Sequence, residues 1–273
     1  EDPSISNLRR LFESFRISTQ RYFGLRPSSI NLFDTLEKDS HNLFVNSLRK
    51  GKTKASAFEF LMDRVSDSII EKLDRVFGCD ARNGKIVQII STGRTGTYFL
   101  RTQLLEYNEN TVPIHNVFTC PHPDARSLFA MMQLSIMRSE DLECSIPDEV
   151  LASLFNHIEK HCLILCAELL AYTLRFNKQP VIINHWWVPF ALLLKKIFPN
   201  LGFLSLERER EPLMYSLVEK SQILSNPMPL HLHSSPYGLT QLSNTDKCEW
   251  AECFVELVND ISRFIAHSYP ANY

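Results

Sequence analysis

The residues of this chain best suited to chemistry begin at Ser91-Thr92-Gly93-Arg94-Thr95-Gly96-Thr97. Two glycines there let backbone amides turn toward an anion, Arg94 adds a forked cation, and Thr95 and Thr97 add hydroxyl donors. A helical pattern follows at once, so the partial positive charge of a helix N-terminus points at the same spot. Such a set of groups suits a phosphate or a sulfate. His185 stands at the end of the run Val181-Ile182-Ile183-Asn184, and its imidazole, with an ordinary pKa near neutrality, is fit to take a proton. A third feature is the alternating run Arg208-Glu209-Arg210-Glu211, with Ser216 eight residues after Arg208.

The loop is not of the nucleoside-triphosphate kind, which needs Gly, four residues and then Gly-Lys-Ser/Thr to set a lysine on the phosphates and a hydroxyl on magnesium. The nearest approach, Gly78 to Ile86, has five intervening residues and puts Ile86 where the hydroxyl should stand. It also precedes the strand instead of following it.

The elements that must position these groups show in the periodicity. Residues 4 to 78 read as an amphipathic helical region of about three helices, broken at Arg26 to Ser29 and again at Gly51 to Thr53. After Asn83-Gly84 the β-branched run Ile86 to Ile90 predicts a strand. The phosphate-type loop follows it, and then a helix carrying Phe99, Leu100, Leu104 and Leu105. Val181 to Ile183 and Leu201 to Leu206 predict two more strands, preceded by helical stretches at roughly 148–176 and 188–198, and Thr111 to Asn116 is a further strand candidate. Strands alternating with helices imply an α/β fold with a parallel wound sheet flanked by helices. In such a sheet the carboxyl ends of the strands form the ligand crevice, where Arg94, His185 and Arg208 would converge. Residues 226–246, rich in proline, read as a long loop of the lid or binding kind before a last helix at about 247–266. The expected organisation is a helical N-terminal extension, 1–83, packed on an α/β domain, 84–273.

Composition narrows the partners. With 273 residues, 44% hydrophobic and 22% charged, the chain should fold as one main globular core. A net charge of -2 argues against a broad nucleic-acid surface, so an anionic ligand must be met locally. No stretch approaches 18 apolar residues, which predicts no membrane span. Seven cysteines without framework spacing, and no Asn-x-Ser/Thr acceptor, point to reduced thiols and the cytoplasm; a trimmed N-terminal segment stays open. His157 and His161 sit one helical turn apart but lack the Glu that metalloproteases place after the first His, so no metal is assigned.

Gly93-Arg94-Thr95-Gly96-Thr97 resembles the 5′-phosphosulfate loop of sulfotransferases that use 3′-phosphoadenosine 5′-phosphosulfate (PAPS), where Lys or Arg precedes Ser/Thr-Gly-Thr. The third strand adds to the likeness: that family has a strand leading to an Arg, with a Ser eight residues on, and Leu201 to Leu206 leads here to Arg208 and Ser216. The resemblance spans about residues 84–220 and implies a P-loop-like sulfotransferase fold. It implies that Thr92, Gly93, Arg94, Thr95, Gly96 and Thr97 hold the 5′-phosphosulfate, that Arg208 and Ser216 hold the 3′-phosphate, and that Arg94 helps catalysis. A His at a strand end about twenty residues before that Arg serves several members as base, which casts His185, 23 residues before Arg208, in that role. His115 and Glu207 are the other candidates. Departures are Glu209-Arg210 after Arg208, which leaves Arg210 open as an anion contact, and Ile183 where the family often has Lys.

The implied reaction is in-line transfer of a sulfuryl group from PAPS to a hydroxyl or amine acceptor, without a metal. A nucleotide or small-molecule kinase with an atypical phosphate loop, and a non-catalytic scaffold of the same fold, are the alternatives. Acceptor and oligomeric state are not encoded in spacing.

Overall fold

In the computed structural model, which describes residues 55–92, 95–114, 148–223 and 258–270 with positions 121, 129 and 255, the run Ile86–Ile90 is an inner strand, β1. Expectations for Gly93, Arg94, His115, the helices before residue 55 and the loop at 226–246 lie outside the described residues. Among the described residues the sheet has four parallel strands. β2 (Thr111–Ile114) lies at one edge, then β3 (Gln179–Ile182), then β1, then β4 (Leu201–Ser205). Register is fixed by pairs such as Gln88 with Ile182 and Ile90 with Ser205. The candidate strand after Thr111 is thus an edge strand, and the fold class is α/β.

A strand covered on both faces has no solvated side to alternate toward, which is why β1 reads as a continuous apolar run. On one face Val87 and Ile89 join Val181 and Ile183 beneath Leu100 and Leu104 of helix α2 (Thr97–Tyr107). On the other, Ile86 and Ile90 belong to the main core with helices α1 (Ala55–Phe77), α3 (Asp148–Phe176) and α4 (Ala191–Ile197). Met62, Val65, Ile69 and Leu73 of α1 recur at the helical period and are buried against α3 and α4, so the end of the N-terminal helical region shares this core. Lys72 and Ser68 of α1 both bond Glu159 of α3, and Lys196 of α4 pairs with Asp63 of α1. Arg82 forks onto Asp74 at 2.7 and 3.0 Å and reaches the Ile197 carbonyl at 3.1 Å, tying the segment before β1 to two helices.

The chain between β3 and β4 differs from the expected single helix. Residues His185–Phe190 form a 3-10 helix, with Pro189 inside it, before α4 begins at Ala191. Asn184 starts this turn: its Oδ1 accepts the Trp186 amide at 2.9 Å. His185 is therefore the first residue of a 3-10 turn rather than the last of a strand, a correction caused by the competing Asn184 cap. Trp187 and Phe190 of that turn are core residues, ring centroids 5.3 Å apart.

Helix α5 (Arg210–Ile223) follows β4, and α6 (258–268) buries Val258, Ile261 and Ile265 in the main core. Ser262 of α6 donates to Ser205 at the end of β4 over 3.2 Å. Buried Lys195 closes the turn between α4 and β4, its Nζ donating to the carbonyls of Pro199 (2.6 Å) and Leu201 (3.0 Å). Burial holds that ammonium below its ordinary pKa. Among the described residues no helix is long and apolar enough to cross a membrane.

Candidate anion-binding site

The sheet order sets the site. β1 lies between β3 and β4, and the three strands run parallel, so the segments leaving them emerge at one end of the sheet. The described parts of these segments are Ser91, Thr92 and Thr95 to Thr97 after β1, Ile183 to His185 after β3, and Leu206 to Arg208 after β4. Adjacent strands are about 4.8 Å apart, so residues leaving β3 and β4 start roughly 10 Å apart across β1. The Ile183 amide still bonds Ile114 at 3.0 Å and the Leu206 amide bonds Ile90 at 3.0 Å, which carries the ladder just past the strand ends.

The loop after β1 is enclosed where it leaves the sheet. Ser91 and Thr92 are buried, Thr92 at 4% exposure, and Thr97 is buried at the start of α2. Gly96 precedes that helix in the left-handed region, at φ 97°, a conformation that costs glycine little and a side-chain-bearing residue much more. No atom stands within 4 Å of where a Cβ would project from Gly96. Its carbonyl accepts the Leu100 amide at 3.0 Å, so the glycine turn opens directly into α2. Two hydroxyls in this segment, Thr92 Oγ1 and Thr95 Oγ1, are buried and reach no hydrogen-bond partner. A buried hydroxyl without a partner is costly, and its presence beside a helix N-terminus is what a ligand-binding loop would show.

Around the loop, His185 is half-buried with its Nε2 enclosed, and the ring of Trp186 stands edge-on to it at 5.8 Å. Glu207, Arg208, Glu209 and Arg210 are exposed where the chain passes from β4 into α5. Ser216 is half-buried on α5, in the turn after Leu213, whose amide bonds Glu209 at 3.1 Å. Glu207 accepts from Ser205 at 3.4 Å. The structure thus brings His185, Thr92, Thr95 to Thr97 and Arg208 to one end of the sheet, while Ser216 sits further along the helix that starts at Arg210.

Gln88 was not singled out by sequence reasoning, although a lone amide in the run Ile-Val-Gln-Ile-Ile is its visible signal. It is fully buried in the middle of β1, and its Nε2 donates to the Trp187 carbonyl at 2.8 Å. His157 and His161 face each other on α3, ring centroids 4.4 Å apart, and among the described residues no group of three or more metal-ligating side chains is assembled. Cys162 and Cys166 of that helix are buried thiols, the second pushed well above its ordinary pKa by desolvation. Comparison of the chain with protein families, with curated proteins and with solved structures finds no match.

Proposed function

We propose that this chain has the P-loop-like sulfotransferase fold and moves a sulfuryl group from PAPS to a hydroxyl or amine acceptor. The observation that carries the reading is the loop leaving β1: a left-handed glycine opens a helix N-terminus, and the enclosed hydroxyls of Thr92 and Thr95 have no partner in the protein. Anionic oxygens placed there would supply the acceptors those hydroxyls lack. The parallel sheet supports it by delivering His185 and Arg208 to the same end. The resemblance of Gly93 to Thr97, Arg208 and Ser216 to the sulfotransferase pattern adds the class of anion.

PAPS, when bound, supplies an activated sulfuryl group on a phosphate leaving group. The chain's own residues then have separable tasks. Thr92 to Thr97 hold the 5′ end and Arg94 opposes charge growing on the departing phosphate oxygen. Arg208 and Ser216 hold the 3′-phosphate. His185 takes the proton from the acceptor's hydroxyl or amine as its oxygen or nitrogen bonds to sulfur.

Two measurements test this. Wild-type protein should bind 3′-phosphoadenosine 5′-phosphate (PAP) by calorimetry, and Arg94→Ala should lose that binding while its thermal unfolding is unchanged. Labelled sulfate should pass from PAPS to a member of an acceptor panel, and His185→Gln should stop transfer without weakening PAP. Unaltered PAP affinity in Arg94→Ala would sink the assignment, and magnesium-dependent ATP binding in its place would favour a kinase.

A further inference from the structure

The groups read as donor loop and base sit on different strands, so something must fix the distance between them. β1 ends in the loop; the 3-10 turn His185–Phe190 that begins with the base follows β3. Gln88 bridges the two. It lies on β1 opposite Ile182 of β3, fully buried on the face shared with the main core, and its Nε2 donates to the carbonyl of Trp187, two residues after His185, at 2.8 Å. That carbonyl belongs to the turn's own backbone, so the bond fixes the turn and not merely a side chain. The Asn184 cap, which accepts the Trp186 amide at 2.9 Å, holds the other end of the same three-residue stretch. His185 is thus framed between a cap on one side and a strand-to-turn bond on the other.

A polar side chain at this place has a cost that an apolar one would not. Gln88 Oε1 and Trp187 Nε1 are both buried and reach no hydrogen-bond partner. A leucine or isoleucine would fill an inner strand without burying an unmatched amide oxygen, but it would leave the Trp187 carbonyl without this donor. A buried amide that satisfies one backbone carbonyl while leaving its own oxygen unmatched makes better sense as a positional device than as core packing.

We propose that Gln88 is a positioning residue: through the Trp187 carbonyl it sets the place of the His185 imidazole relative to the loop that leaves the same strand. The inference rests on the reading of His185 as base, but the coupling itself concerns this chain alone. Gln88→Met tests it, because methionine keeps the length and loses the donor. Displacing a reacting group by about 1 Å costs on the order of a hundredfold in rate. In the full chain Gln88→Met should therefore lower kcat about tenfold to a hundredfold, with KM for PAPS and affinity for PAP unchanged. It should also move the His185 ring resonances in the histidine NMR spectrum, assigned from their loss in His185→Gln, while those of His157 and His161 stay in place.

Gln88→Leu supplies a second variant should the first not fold. Its side chain has no donor for the Trp187 carbonyl, so it should shift the His185 resonances as well. A His185 signal unmoved in whichever variant folds, or an active Gln88→Met enzyme with unaltered kcat, would overturn the proposal. If wild-type protein neither binds PAP nor transfers sulfate, the sulfotransferase reading fails, and the His185 resonance still decides whether Gln88 couples the strand to the turn.

Discussion

Replacing Thr92 by valine separates a ligand-binding hydroxyl from an ordinary buried one, because the two cases give changes of opposite sign. Thr92 is 4% exposed and its Oγ1 reaches no hydrogen-bond partner. A buried hydroxyl in that state costs the fold about 1–3 kcal/mol. Valine reproduces the β-branched shape without the O–H, so the penalty should vanish. The ligand-free protein should gain about 1 kcal/mol or more, seen as a rise in Tm of about 2–4 °C in a chain of this size. The same substitution removes a donor to a charged oxygen, a bond worth about 1.5–3 kcal/mol, which corresponds to PAP binding about 10- to 150-fold weaker. Differential scanning calorimetry without ligand and titration calorimetry with PAP read the two effects on one preparation. A variant that unfolds at a lower temperature than wild type and binds PAP as tightly would refute the reasoning, since the hydroxyl would then be a structural donor.

Two further outcomes follow from the geometry. Gly96→Ala should destabilise the protein by about 1–2 kcal/mol in denaturant titration, because φ is 97° and no atom within 4 Å offers contact to the new methyl group. It should weaken PAP binding as well, since Gly96 opens directly into α2. Cys166 bears on alkaline stability: burial raises its thiol above the ordinary 9.0. The unfolded chain loses that proton as pH passes 9 while the folded chain keeps it. The thiol's contribution is therefore complete below about pH 9 and declines above it by about 1.4 kcal/mol per pH unit. Tyr172, also raised by burial, adds a similar fall above its own ordinary 10.0. Chemical denaturation of Cys166→Ala between pH 8 and 10 should give a shallower decline than wild type, and parallel curves would count against the buried thiol.

Legibility in the sequence followed how local the governing physics was. β1 and the helix after it were readable because a β-branched run, two glycines and a 3.6-residue pattern lie within 20 residues, and α3 was bounded at residues 148 and 176 by periodicity alone. The end of β3 was not. Ile183 looks like strand, and its amide does extend the ladder to Ile114, but Asn184 accepts from Trp186 and caps a 3-10 helix that begins at His185. That outcome depends on a side chain competing with the ladder, which a pattern of apolar residues cannot encode. Long-range pairings were equally hidden: Gln88 and Trp187 are 99 positions apart, and only the placement of β3 beside β1 brings the amide to that carbonyl.

The distribution of unmet polar atoms carries an argument that no single residue does. Elsewhere in the described core, buried polar groups are satisfied: Lys195 bonds two carbonyls, Ser66 bonds the Asp63 carbonyl at 2.8 Å, and Ser262 bonds Ser205. The buried atoms without partners include Gln88 Oε1, Thr92 Oγ1, Thr95 Oγ1 and Trp187 Nε1, and they fall in two short segments, 88–95 and the turn after β3. If such atoms reflected imperfect packing alone, they would be spread among the helices as well. They gather in β1 and its loop and in the 3-10 turn that follows β3, so the unmet polar atoms lie on two adjacent strands and the segments leaving them. On the function proposed above, a bound anion would supply acceptors to Thr92 and Thr95 and so offset their share of that cost. PAP should accordingly raise the Tm of wild-type protein more than that of Thr92→Val.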